Sequence, residues 1–137
     1  MHVMIIGAAG MLGQKLLGSL LSDGGILSRE ISQLSLVDVL KPSRSSSNIP
    51  MTTHAIDLSV PGVVESVVSS RPDIIFHLAA IVSGEAEADF DKGYRINLDG
   101  TRFLFDAIHR ENGKGAYRPR LIFASSIAVF GAPFPDT

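Results

Sequence analysis

The sequence contains no cysteine. Disulfides and thiolate chemistry are therefore excluded, and the absence fits a reducing cytoplasm. There is no basic run and no interleaving of aromatic with basic residues, and the formal net charge is −2. Nothing here points to nucleic acid. Met1 leads straight into an apolar run, with no basic segment or cleavage signature, so no signal peptide is expected. The longest apolar stretch is broken by glycines and ends at Gln14, too short for a membrane helix. A cytoplasmic location is the resulting expectation. His2, His54, His77 and His109 lack ligand-like spacing, and no metal site is predicted. No Gly-x-Ser-x-Gly segment occurs, which argues against a hydrolase nucleophile elbow.

What is present suits one domain. The 137 residues are enough for a real core, and 45% of them are hydrophobic against 19% charged. A parallel sheet covered on both faces gives that balance, because its strands are apolar throughout.

The stretch Val3-Met4-Ile5-Ile6-Gly7-Ala8-Ala9-Gly10-Met11-Leu12-Gly13 reads as a buried strand, a glycine turn and the start of a helix. Leu16, Leu17, Leu20 and Leu21 supply that helix with an apolar face. Gly7 permits a tight turn, Gly10 lets the backbone approach a phosphate, and Gly13 lets helix and strand pack closely. The free N–H groups at the helix start would face a dinucleotide pyrophosphate. The spacing is G-x-x-G-x-x-G, and without its context it marks no more than a strand-to-helix turn.

Further along, Asp23-Gly24-Gly25 stops the first helix. Strands are predicted at 34–38, 51–56, 73–79 and 121–124. Ser59-Val60-Pro61 opens a helix with Val63, Val64, Val67 and Val68 on one face. Residues 80–91 read as a loop carrying Glu85, Glu87, Asp89 and Asp91. A long helix follows over about 92–111, with Tyr94, Leu98, Phe105 and Ile108 on its apolar face. Alternating strands and helices predict an α/β, doubly wound parallel sheet with helices on both faces.

Several residues carry chemistry. Asp38 ends the second strand, where a carboxylate can accept both hydroxyl protons of an adenosine ribose and repel a 2′-phosphate. The expectation is NAD rather than NADP, with Lys41 and Arg44 nearby as the groups that could rescue NADP. Asp57-Leu58 suits adenine contact, a carboxylate for the amine and an apolar edge for the ring, and equally suits a helix cap. In His77-Leu78-Ala79-Ala80 the small residues let the chain pass beneath a flat cofactor, while His77 reads as a packed, hydrogen-bonded core histidine. Asn97 and Gly100 are poor helix formers inside a helix, which suggests a distortion, a close contact or a hydrogen bond across to the neighbouring strand. Ser125 and Ser126 stand at the carboxyl end of the last strand, where such sheets place their ligands, and a hydroxyl there can hold a substrate oxygen.

Taken in this order, these pieces resemble the extended short-chain dehydrogenase/reductase family, the sugar epimerases and dehydratases. The resemblance runs over essentially the whole chain and ends in Ser125-Ser126-Ile127-Ala128-Val129-Phe130-Gly131, where Phe130 replaces a usual tyrosine. It implies a Rossmann-type fold and NAD contacts from Gly7, Gly10, Met11, Leu12, Gly13, Asp38, Asp57, Leu58, Leu78, Ala79, Ala80 and Asn97. It also implies a catalytic role for Ser126. The run from Ser125 through Pro135-Asp136, with the acidic loop after Ser83, is similar to a branch that oxidises four-carbon sugar acids such as D-erythronate. Ser83 is a substrate-contact candidate there, beside Ser126.

The family's general base is a tyrosine in Tyr-x-x-x-Lys after the serine. Tyr94 and Tyr117 both precede Ser126, and neither has a lysine four residues on. Residues 1–137 are therefore expected to form an incomplete, C-terminally truncated NAD-binding domain without its substrate lobe, inactive alone. A nucleotide-sugar epimerase that retains its NAD, or a non-catalytic dinucleotide-binding module, are the alternatives. A last strand left as a sheet edge would favour homo-oligomers.

Overall fold

The computed structural model describes residues 1–43, 46–126, 129 and 131, and the backbone but not the side chain of Ser83. Five parallel strands form the main sheet: β1 (His2–Ile6), β4 (Gln33–Asp38), β5 (Met51–Ala55), β6 (Ile74–His77) and β7 (Arg120–Phe123). Their spatial order is β5-β4-β1-β6-β7. From β1 the chain moves outward through β4 to β5, then returns to β1's other side for β6 and β7.

β1 shows why this sequence makes a two-faced sheet. All five of its residues are buried, and alternation sends neighbours to opposite faces. Met4 and Ile6 join Val37, Val64, Val67, Ile75, Leu104 and Tyr117 on one side. Val3 and Ile5 join Leu17, Leu20, Leu34, Leu36 and Ile74 on the other. Helix α1 (Met11–Asp23) covers the second side through Leu17 and Leu20. Helices α2 (Glu65–Val68) and α5 (Gly100–Gly113) cover the first through Val67, Val68, Leu104 and Ala107. The predicted fold class is what the chain adopts.

α1 ends as expected. Gly24 takes the left-handed conformation (φ 67°) and its N–H returns to the Leu20 carbonyl at 3.0 Å. The chain then makes a small hairpin that sequence reading missed, β2 (Gly25–Ile26) against β3 (Arg29–Glu30). Its two turn residues, Leu27 and Ser28, both have positive φ. That geometry is normally signalled by Asn-Gly or Asp-Gly, so no pattern announced it.

Three other expectations are corrected. The helix predicted from Ser59 is only α2, because Gly62 sits at φ 83° and interrupts it. Val64, Val67 and Val68 are nonetheless buried. The acidic "loop" is helical: α3 (Ser83–Ala88) is followed by α4 (Phe90–Gly93). Asp89 separates them at φ −138° and caps α4 by accepting from the Lys92 N–H at 3.0 Å. Lys92 also pairs with Glu85, and that hydrogen bond raises the pKa of the lysine above its ordinary value.

The long helix is broken by a π-helical segment, Tyr94–Asp99, between α4 and α5. The wider π turn shifts the helical phase. Of the predicted apolar face, Tyr94, Leu98 and Phe105 are 55%, 54% and 50% exposed, while Ile108 does pack against the core. Gly100, Leu104, Ala107 and Glu111 face inward instead. Glu111 accepts from Arg71 Nε at 2.8 Å and Lys114 Nζ at 2.9 Å. The hydrogen bonds from Lys114 and Arg71 hold its carboxyl below the usual carboxylate range.

Candidate functional site

The glycine turn divides its three glycines between two jobs. Gly7 leaves β1 at φ 89°, and a Cβ there would lie 2.7 Å from the Ala79 nitrogen. A Cβ on Gly13 would lie 2.2 Å from the Gly7 oxygen. Both glycines are required by the chain's packing against itself. Gly10 is different. It is exposed, its φ of −72° suits any residue, and the nearest atom to an added Cβ is the Gly7 oxygen at 3.4 Å. It heads α1 without a side-chain cap. The N–H groups of the helix's first turn therefore lack intrahelical acceptors and are left for something else to meet.

A cleft of about 320 Å³ opens beside this turn. Its lining comes from Gly7, Ala9 and Gly10, from 38–40, from 56–59 and from 77–81. These are the segments that leave the carboxyl ends of β1, β4, β5 and β6, at the point where the strand order reverses.

Asp38 stands half-buried on one wall. Its Oδ2 accepts from the Ala9 N–H at 2.9 Å and its Oδ1 from the Leu40 N–H at 3.1 Å. The carboxylate is thus tied to the glycine turn, and each oxygen retains a further lone pair. Asp57 lines the same cleft. Its Oδ1 accepts from both the N–H and the hydroxyl of Ser59, at 2.8 and 2.6 Å, which makes a local turn rather than the expected helix cap, since α2 begins only at Glu65. Leu58 lies between the cleft and the core, and Gly100 faces it, with a Cβ at Gly100 reaching the Leu58 Cβ at 3.5 Å, an ordinary contact. Met11 and Leu12 are 70% and 57% exposed in the first turn of α1.

A second cavity, about 660 Å³, adjoins the first through Ala79, Ala80 and Ile81. Ser125 and Ser126 line it at the end of β7, both exposed, together with Asn97 and Phe123. Asn97 grips the joining loop: its Oδ1 accepts from the Ile81 N–H at 2.9 Å and its Nδ2 donates to the Ile81 carbonyl at 3.0 Å. The expected distortion is present as the π-helical segment, while the hydrogen bond expected to reach a neighbouring strand goes to the loop after β6. Ser83 starts α3 beside this cavity's Val82, and its side chain lies outside the described residues. So do Ile127, Ala128 and Phe130 of the terminal motif, and Arg44.

His77 is 2% exposed and bonded to Thr101, as a packed core histidine should be. Burial pushes its imidazole pKa down. Thr101 was not singled out from the sequence. Its position four residues after Asn97, one turn along a helix, was the available signal. Neither tyrosine lines either cavity. Tyr94 lies against Phe90 with ring centroids 4.8 Å apart. Tyr117 donates to the Pro72 carbonyl at 2.9 Å, near the amino ends of the strands, and burial raises its pKa.

A parallel sheet in this order, with a glycine turn and an acidic residue at its switch point, defines the dinucleotide-binding class of doubly wound folds. The sequence profile of the NAD dependent epimerase/dehydratase family matches residues 3–137, and the chain belongs to that family. It is 41% identical over 141 residues to a D-erythronate dehydrogenase of Cupriavidus necator, covering 98% of this chain and 41% of that protein. A D-erythronate dehydrogenase of Haemophilus influenzae is 37% identical over 137 residues, covering 100% and 41%. Among solved structures, a nucleoside-diphosphate-sugar epimerase from Agrobacterium tumefaciens is 58% identical with a TM-score of 0.92, over 98% of this chain and 40% of that one. Uronate dehydrogenase from the same organism, solved with NAD, is 26% identical with a TM-score of 0.69, over 91% and 40%. The chain spans about two fifths of the length of these relatives.

Proposed function

We propose that residues 1–137 are the cofactor-binding part of an NAD-dependent oxidoreductase that oxidises a hydroxyl of a small sugar acid, D-erythronate being the leading substrate. The observation that carries the cofactor half is Gly10. It is exposed, its backbone needs no glycine, and it stands uncapped at a helix start beside a cleft. A position that packing leaves open fits a phosphate brought close to backbone N–H groups. Asp38 on the facing wall suits ribose hydroxyls and disfavours a 2′-phosphate. The curated relatives support the substrate half.

In this reading bound NAD supplies the hydride acceptor. The chain's own residues do the rest of the binding. Met11, Leu12 and Gly13 offer N–H groups to the pyrophosphate, which Gly10 lets approach while its own N–H is held by the Gly7 carbonyl, Asp38 takes the ribose, and Asp57 and Leu58 edge the adenine. Leu78, Ala79 and Ala80 form a floor without bulky side chains, fixed at its far end by Asn97. Ser126 holds the substrate oxygen whose proton must leave, with Ser83 as the second candidate contact to the substrate. The acceptor of that proton must reach it. Tyr94 on the outer helix face and Tyr117 near the strands' amino ends are not placed to do so. The base is therefore supplied from outside this stretch, and so is the substrate lobe.

A nucleotide-sugar epimerase is the second reading, favoured by the name of the 58%-identical solved relative. The complete enzyme, given D-erythronate and NAD, separates them. Stoichiometric release of NADH supports the dehydrogenase. NAD that stays bound and is not consumed, with interconversion of a nucleotide sugar, overturns it. Asp38→Asn keeps the acceptor for Ala9 and removes the charge. It is expected to bring NADP affinity to within about tenfold of NAD, leaving at most roughly 1.4 kcal/mol between the two, read by titrating both cofactors. Unchanged discrimination would remove Asp38 from the ribose site.

A further inference from the structure

His77, Thr101 and Asn97 form one chain of hydrogen bonds, of which the cofactor reading uses only the Asn97 end. The Thr101 hydroxyl lies 2.9 Å from the Asn97 carbonyl oxygen and 2.9 Å from His77 Nε2. A hydroxyl carries a single proton and a carbonyl can only accept. The Thr101 proton therefore goes to the Asn97 carbonyl, and His77 Nε2–H is the donor to Thr101. The opposite assignment loses twice. It takes the Thr101 proton away from Asn97, and it puts a hydrogen on Nδ1, which is buried and has no partner among the described residues. A buried donor without an acceptor is the costlier arrangement.

The chain of bonds continues. Asn97 holds Ile81 by both its amide atoms, and Ile81 belongs to the loop that joins the two cavities. His77 is the last residue of β6, four positions before Ile81. The segment between them, Leu78 to Ala80, is thus anchored at both ends to the same stretch of helix. We propose that His77 is a positioning residue, locked as the neutral Nε2–H tautomer, and that its bond through Thr101 to the Asn97 carbonyl sets the height of the floor on which the nicotinamide half of the cofactor lies. This rests on the cofactor reading above for the identity of the ligand, while the tautomer stands on the hydrogen bonds alone. Burial without a charged partner keeps the ring neutral and so maintains the lock.

The test uses this chain labelled with 15N at histidine. At neutral pH, His77 should show a protonated, pyrrole-like Nε2 and an unprotonated, pyridine-like Nδ1. The reverse pattern, or a doubly protonated ring, overturns the assignment. Thr101→Val removes the acceptor at nearly constant volume, and Thr101→Ser restores it. The valine variant should bind NAD about fivefold more weakly, the loss of one ordinary hydrogen bond's worth of preorganisation. The serine variant should return close to the parent affinity. Parent affinity in the valine variant overturns the positioning role, and equal weakening in both variants overturns the hydrogen bond as its cause. A parent chain that takes up no NAD overturns the cofactor reading and the positioning role with it, while the ring-nitrogen spectrum still decides the tautomer.

Discussion

Gly10 and Gly13 are three residues apart and do different work. Gly13 has no space for a side chain, since a Cβ would sit 2.2 Å from the Gly7 oxygen. Gly13→Ala is expected to cost several kcal/mol, in the range of overpacked cores or beyond, read by urea unfolding. Gly10→Ser should do the opposite to stability. Serine is at least as good an N-cap as glycine, so the chain should hold or gain a few tenths of a kcal/mol. The same hydroxyl competes for the helix N–H groups, and NAD should bind at least tenfold more weakly. Equal affinity for NAD would mean the pyrophosphate is not at this helix.

Two buried histidines give the stability a pH profile. Burial lowers the pKa of His2, against the raising effects of the Ser70 backbone and Asp73, and burial also lowers that of His77. His2 Nε2 lies 2.8 Å from Ser35 Oγ inside the sheet. Both groups bind protons more readily when unfolded, so unfolding takes up protons once the pH drops through the unfolded value near ~6.5. Stability should be flat with respect to these groups above that value. Below it, stability should fall by up to roughly 1.4 kcal/mol per pH unit for each histidine, and then level off below the native values. Urea midpoints measured between about pH 8 and pH 5 check the sign. Midpoints that rise on acidification would show that neither ring is kept neutral.

At the scale of elements, the helical stretch from 90 to 113 is where pattern and structure part. The apolar spacing of Tyr94, Leu98, Phe105 and Ile108 is a fair α-helical face only if the helix is continuous. The π-helical segment adds width to one turn, and the inward line passes to Leu104 and Ala107. Leu104→Ala is expected to cost about 2–5 kcal/mol, and Phe105→Ala under about 1 kcal/mol in this chain, both from denaturant unfolding. The reverse ranking would restore the continuous-helix phase. Asn97 and Gly100 were visible as misfits, but no local rule says that a misfit widens a turn rather than ending it. The strands were easier. β1 is apolar from Val3 to Ile6 because both faces are covered, β4 interrupts its run from Leu34 to Val37 only with Ser35, and a short apolar run bounded by turns reads as such without any structure. The hairpin at 25–30 was illegible for a local reason, a left-handed turn made from Leu27 and Ser28. The acidic stretch after Val82 read as loop because its charges mask two short helices, one capped by its own Asp89.

For the whole molecule, the sheet order places the sequence's scattered signals at one edge. Gly7, Asp38, Asp57 and Ala79 come from four different strand ends, and only the order β5-β4-β1-β6-β7 brings them to a common cleft. The residues were legible one at a time, while their meeting depends on a topology that was inferred from alternation rather than read. Binding across several strand ends should couple to global unfolding. NAD at a hundred times its dissociation constant is expected to add about 2.7 kcal/mol to stability, seen as a concentration-dependent rise in melting temperature. A melting temperature indifferent to NAD would argue against binding by the folded chain.

The central position of β1 has a consequence for how the chain comes into being. Its two neighbours, β4 and β6, are paired through Gln33–Val37 and Ile74–His77. The most apolar strand is made first and receives its second neighbour only when some seventy further residues exist. At ordinary synthesis rates that interval is roughly 4–14 s. During it, five consecutive apolar-leaning residues have one open edge and, with α1 already made, one face still waiting for α2 and α5. Nascent chains ending before β6 are expected to need a chaperone or to self-associate. A chain cut after Asp57 should accordingly sediment as aggregate where the longer chain does not.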